Sequence, residues 1–172
     1  LHTRMLAHRD LKTDNIFVDH HGNVKIGDFG LVKMIGGSRT KAGAVLGTPS
    51  NMAPEVARGE CGGAEWILAD MWSLGMIIAE LFGLTVVPGL DKLPQDKQIT
   101  MLENLEKKQY QIPKLPAEAP PALVPLFARC LDLDPKQRPT AKEVFDALAN
   151  VSKAYLVVPQ PSPSSSSSLS SQ

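Results

Sequence analysis

The apolar positions of this chain change character along its length. Two short β-branched and aromatic runs, Ile16–Val18 and Val24–Ile26, are separated by the polar stretch Asp19-His20-His21-Gly22-Asn23. That pattern predicts a β-hairpin with a solvated turn. Residues 31–51 are rich in Gly, Ser, Thr and Lys, with no sustained period, and predict a loop long enough to be functional. Beyond it the periodicity becomes helical. Leu68 to Phe82 predicts an apolar central helix, and Ile99, Leu102 and Leu105 give a polar segment one buried stripe. Pro120 and Pro121 are expected to open a further helix, with Leu123, Phe127, Cys130 and Leu131 on its inner face. A last helix is expected from Thr140, capped reciprocally by Glu143, with Val144, Phe145 and Leu148 facing inward.

The run from Trp66 to Val87 is apolar enough to raise the question of a membrane span. Asp70 and Glu80 lie inside it, and ionisable groups at that depth are costly in lipid. A helix at the centre of a soluble lobe fits better. After residue 151 the composition shifts, and Pro159 to Gln172 is Pro- and Ser-rich. Such a segment buries too little apolar surface to fold, so residues 1–151 are expected to form the domain and 152–172 a disordered tail.

Length and charge narrow the function. The 172 residues suit one domain, and Lys plus Arg equals Asp plus Glu at 18 each. A balanced charge and 5% aromatic content argue against a nucleic-acid partner. Cys61 and Cys130 have neither CxxC spacing nor nearby His pairs, which predicts two buried free thiols in a reducing compartment. The His20-His21 pair reads as exposed turn residues and not as a metal site. The expected location is cytoplasmic, with no membrane association.

The chemistry concentrates near the start of the chain. His8-Arg9-Asp10-Leu11-Lys12, followed by Asn15, puts a carboxylate, an ammonium and a carboxamide in one short loop. Asp28-Phe29-Gly30 follows the hairpin, and Ala53-Pro54-Glu55 comes later, with Glu55 27 residues after Asp28. Taken singly, Asp10, Asn15 and Asp28 are ordinary turn residues. Together, in this order, the three motifs resemble the catalytic loop, metal-binding loop and activation-segment anchor of the eukaryotic-type protein kinases.

That resemblance covers about residues 1–150 and implies an α+β fold: the mainly helical C-terminal lobe of the kinase fold, with a small β-hairpin at the catalytic cleft. It implies ATP and Mg2+ as cofactors and a protein Ser/Thr hydroxyl as acceptor. By the same resemblance, Asp10 is the base, Lys12 meets the transferring phosphate, and Asn15 and Asp28 are the metal ligands. Thr48, after Gly47, is expected to hydrogen-bond Asp10 and Lys12, and Phe17 to form the floor under the adenine. His8, Phe29 and Gly30 are expected to hold the metal loop. Arg9 is a possible partner of a phosphate on the activation loop, where Ser38 and Thr40 are the candidate sites because Ala44 occupies the usual position. Asp70, at the start of Asp70-Met71-Trp72-Ser73-Leu74-Gly75, is expected to accept backbone N–H groups of the catalytic loop. Glu55 and Arg138 are expected to form a buried ion pair.

The chain contains no Gly-x-Gly-x-x-Gly and no Val-Ala-x-Lys strand, the parts that hold the nucleotide phosphates in this family. The N-terminal β lobe is therefore expected to be absent, Leu1 to Ala7 to be a truncated helix end, and this chain to be inactive without the missing N-lobe of the same polypeptide. The competing reading is a catalytically dead kinase-like lobe that serves as a protein-binding module. A small-molecule kinase is a third, which Ala53-Pro54-Glu55 and the 70–75 motif argue against.

Overall fold

The computed structural model describes residues 1–35, 47–108, 110–149 and 151. Four short strands come first: β1 (Leu6–Ala7), β2 (Ile16–Val18), β3 (Val24–Ile26) and β4 (Lys33–Met34). Five helices follow: α1 (Pro54–Ala57), α2 (Glu65–Leu81), α3 (Gln95–Glu103), α4 (Leu123–Cys130) and α5 (Ala141–Ala149). The architecture is α+β, mainly helical, with two small antiparallel sheets.

β2 and β3 form the expected hairpin, pairing Ile16 with Ile26 and Val18 with Val24. Its turn is tied by the Asp19 carboxylate, which accepts the backbone N–H groups of His21 and Asn23. The other sheet was not legible in the sequence. β1 pairs with β4, Leu6 opposite Met34, so the first residues form a 3-10 turn (His2–Arg4) and a strand instead of a helix end. Two-residue strands carry too little pattern to stand out from a loop.

α2 is the axis around which the rest packs. It starts at Glu65, earlier than expected, and buries Trp66, Ala69, Met71, Trp72, Ile77, Ile78 and Ala79. Leu102, Leu105, Leu123, Phe127 and Leu131 pack into the same core. Gly75 lets α4 approach closely: a methyl group there would lie 2.8 Å from Leu131 Cγ and 3.0 Å from Cys130 Cβ. Among the described residues no helix is long and apolar enough to cross a membrane.

Two helix expectations need correction. α4 begins at Leu123 and not at the proline pair, because the Leu123 N–H closes a turn on Pro120 O before the helix proper starts. On α5, Val144 is buried and Leu148 packs against the core, but Phe145 is 71% exposed. Each helical residue turns about 100°, so the residue after Val144 swings off the buried stripe. The capping box is present: Glu143 Oε2 accepts the Thr140 N–H at 2.8 Å, and Thr140 Oγ1 accepts the Glu143 N–H at 3.1 Å. Both cysteines are buried free thiols. The segment carrying Ser38, Thr40 and Ala44, and the tail from 152, lie outside the described residues.

Candidate functional site

The loop between β1 and the 3-10 turn Thr13–Asn15 is hung from α2. Asp70, 1% exposed, accepts the His8 N–H at 2.7 Å on Oδ2 and the Arg9 N–H at 2.8 Å on Oδ1. His2 Nε2 donates to the same Oδ2 at 2.9 Å. A carboxylate within the core is tolerable because three donors satisfy it. These bonds also hold Arg9 at φ 69°, a conformation that costs a non-glycine residue about 1–2 kcal/mol. The Arg9 guanidinium lies 5.2 Å from the Trp66 ring centroid and donates through Nε to Leu31 O.

That turn presents Asp10 to the segment that follows residue 46. Asp10 Oδ1 accepts both donors of Thr48, the backbone N–H at 2.8 Å and Oγ1–H at 2.7 Å. Lys12 Nζ donates to Thr48 Oγ1 at 2.9 Å and stands 3.5 Å from Asp10 Oδ2. The oxygen Oδ2 thus faces the ammonium while Oδ1 is held by Thr48. Gly47 makes this approach possible. Its φ is 105°, and a Cβ there would meet Arg9 O at 2.6 Å. Partial burial pushes the Asp10 carboxyl up. The two Thr48 bonds and the Lys12 charge outweigh it and hold the group below its ordinary value. Asp10 is therefore ionised at neutral pH.

The hairpin brings Asn15 and Asp28 to the same neighbourhood. Asn15 is buried, and its Nδ2 donates to Asp10 O at 2.9 Å, which leaves its side-chain oxygen as the atom that could ligate a cation. The Asn15 backbone oxygen accepts the Gly27 N–H at 2.8 Å, so the start of the hairpin is stapled to its end. Asp28 follows at φ 55°, with an exposed carboxylate whose Oδ1 accepts the Gly30 N–H at 3.2 Å. His8 Nε2 donates to Gly27 O at 3.0 Å, and the His8 and Phe29 rings lie 5.7 Å apart. Phe17 projects from β2, 55% exposed.

A second constellation anchors the far end of the segment. Glu55 on α1 accepts both terminal nitrogens of Arg138, at 2.7 and 2.9 Å, with both residues buried. Arg138 also donates to Leu68 O and Asp132 O and lies over Trp72.

Sequence reasoning did not single out His2 as a partner of Asp70, the Thr13 Oγ1–Glu80 bonds, or the Arg9 contacts to Trp66 and Leu31. None of these pairs has a short-range signal, since their members are between 22 and 68 residues apart. His20 and His21 are exposed, and among the described residues no three His, Cys, Asp or Glu side chains converge on a metal-sized site. The donor set of Asn15 and Asp28, one amide and one carboxylate oxygen, is hard and suits Mg2+ held jointly with phosphate oxygens.

With the fold and this loop arrangement described, comparison with known proteins names the family. The sequence matches the protein kinase domain over residues 1–148, and the chain belongs to that family. It is 33% identical over 148 residues to the cell cycle serine/threonine-protein kinase CDC5/MSD2 of Saccharomyces cerevisiae, covering 85% of this chain and 20% of that protein. It is 32% identical over 148 residues to the serine/threonine-protein kinase Nek9 of Mus musculus, covering 85% of this chain and 14% of that protein. It is 35% identical over 150 residues to the mitogen-activated protein kinase kinase kinase 4 of Homo sapiens, covering 85% and 9%. The chain thus spans a fifth or less of the length of these relatives.

Proposed function

We propose that residues 1–151 are the larger, C-terminal lobe of a Ser/Thr protein kinase domain. The complete domain transfers the γ-phosphoryl group of ATP to a protein Ser or Thr hydroxyl. The observation that carries this reading is the Lys12–Thr48–Asp10 chain of hydrogen bonds, which fixes Oδ1 of an ionised carboxylate and leaves Oδ2 for an incoming hydroxyl.

In this mechanism the acceptor hydroxyl donates its proton to Asp10 Oδ2 as its oxygen bonds to the γ-phosphorus. The bond from that phosphorus to the bridging oxygen breaks, and ADP leaves. Lys12 stabilises negative charge on the transferring group, in an arrangement that Thr48 preorganises. Asn15 and Asp28 would hold Mg2+, which neutralises phosphate charge when bound. Phe17 offers an apolar face to the adenine. The protein acceptor, and Ser/Thr over Tyr, rest on Lys12, the Gly47-Thr48 pair and the relatives above.

Surface chemistry supports the lobe assignment. Among the described residues, six of the eight large apolar side chains that are at least 47% exposed, Met5, Phe17, Val18, Val24, Phe29 and Met34, fall within the first 34 residues; the other two are Leu81 and Phe145. Exposed apolar side chains concentrated in this way support the reading that another body covers this part of the chain. The smaller nucleotide-holding lobe of the same polypeptide is that body in this reading, and the present chain without it turns over negligibly.

The test is phosphate transfer from ATP to a Ser/Thr substrate by the longer protein that includes the smaller lobe, with Asp10→Asn as control. A rate loss of about 10²–10⁴-fold in Asp10→Asn is expected. Transfer that is absent in the unsubstituted protein, or unaffected by the substitution, points instead to a protein-binding module.

A further inference from the structure

Gly27 occupies the position between β3 and Asp28, and its backbone has no need of glycine: it does not have a positive φ. What it lacks is room. A methyl group on Gly27 would lie 2.5 Å from Phe17 Cε2 and 3.1 Å from Cδ2, well inside contact distance. The Phe17 ring therefore lies directly against Gly27, while the residue as a whole is 55% exposed.

The backbone at this point is held on both sides. The Gly27 N–H is bonded to Asn15 O at 2.8 Å, and Gly27 O accepts from His8 Nε2 at 3.0 Å. His8 is itself fully buried and tied to Asp70. A side chain at 27 therefore displaces the exposed ring more readily than the main chain. An aromatic ring has two torsions and swings as a rigid plate, so a shift of an ångström at its edge tilts the whole face.

We propose that Gly27 is a positioning residue that sets the resting plane of the Phe17 ring, and through it the fit of the nucleotide base. Glycine at 27 and a bulky aromatic at 17 act as one unit: the ring fills the volume that a side chain at 27 would otherwise occupy. This inference rests on the kinase reading above, in which Phe17 meets the base.

The experiment uses the longer protein with its smaller lobe. It compares Gly27→Ala, Phe17→Ala and the double variant by ADP dissociation constant and by kcat and KM for ATP. Gly27→Ala is expected to weaken ADP binding and raise the KM for ATP by about 3- to 30-fold, with kcat within about twofold. In the Phe17→Ala background the same substitution is expected to change neither constant, because no ring remains to displace. An equal loss in both backgrounds, or a fall in kcat at constant KM, overturns the coupling and leaves the base-floor reading intact. If Phe17→Ala alone leaves ADP affinity unchanged, the base-floor reading falls, and the inference with it.

Discussion

Arg138 meets Glu55 end on, two nitrogens to two oxygens at 2.7 and 2.9 Å, across 83 residues of sequence. The pair joins the turn before α5 to α1. Arg138 gives two further donors to Leu68 O and Asp132 O and lies over Trp72, so the charge is both paired and solvated by the protein. Removing one partner leaves the other charged and orphaned in the core. Arg138→Ala and Glu55→Ala are each expected to cost about 3–5 kcal/mol in urea unfolding. A double variant that places apolar side chains at both positions should lose less than the sum of the two. Additive losses would show that the pair has no mutual coupling.

The Asp10 carboxyl sits below its ordinary value because the Thr48 bonds and Lys12 outweigh burial. A lowered folded-state value means that Asp10 adds stability above its unfolded value of about 3.9. That contribution fades only as pH falls through the lower folded value. No loss of activity from protonation of Asp10 is therefore expected between pH 5 and 8. Thr48→Val removes the hydroxyl bond but keeps the backbone one. It should move the acid limb of the rate profile of the complete enzyme to higher pH. An unmoved limb would mean that the hydroxyl does not tune this carboxylate.

Gly75 is where α2 and α4 touch. Gly75→Ala would set a methyl group 2.8 Å from Leu131 Cγ and Cδ2, neither of which can retreat because Leu131 is fully buried. Helix propensity favours alanine by about 1 kcal/mol, but overpacking opposes it by about 1–3 kcal/mol. A net loss of thermal stability is expected, and Leu131→Ala in the same chain should relieve part of it. A stabilised Gly75→Ala would mean that the helices separate freely.

The thiols are expected to be inert. Burial pushes the Cys130 thiol up to about 12, and burial together with Glu55 pushes Cys61 higher still. At pH 8 neither forms appreciable thiolate. Iodoacetamide should label neither in the native chain and both in denaturant; rapid native labelling would place at least one thiol at the surface.

Local pattern was a reliable guide where both partners of an interaction lie close in the chain. The hairpin of β2 and β3, the Asp19 turn and the Thr140–Glu143 capping box are all short-range. The α5 expectation failed in part for a related reason. Val144 and Phe145 are both apolar, and hydrophobicity does not say which of two neighbours faces the core. Only the helix docked on α4 decides that Val144 does. β1 and β4 pair across 28 residues with two residues each, and no window of sequence holds both.

By itself the sequence determined which chemistry is present: one carboxylate, one ammonium and one amide in a loop, a second carboxylate after a hairpin, and two acids inside an apolar helix. Tertiary structure alone decided how these groups share their hydrogen bonds. Asp70 ties down His2, His8 and Arg9, Thr48 takes Oδ1 of Asp10 and leaves Oδ2, and the Phe17 ring rests on Gly27. The physical reason is directional. Residue type sets what a group donates or accepts, but a hydrogen bond needs its partner within about 3 Å at the right angle, and for groups far apart in sequence only the packed core around α2 supplies that geometry.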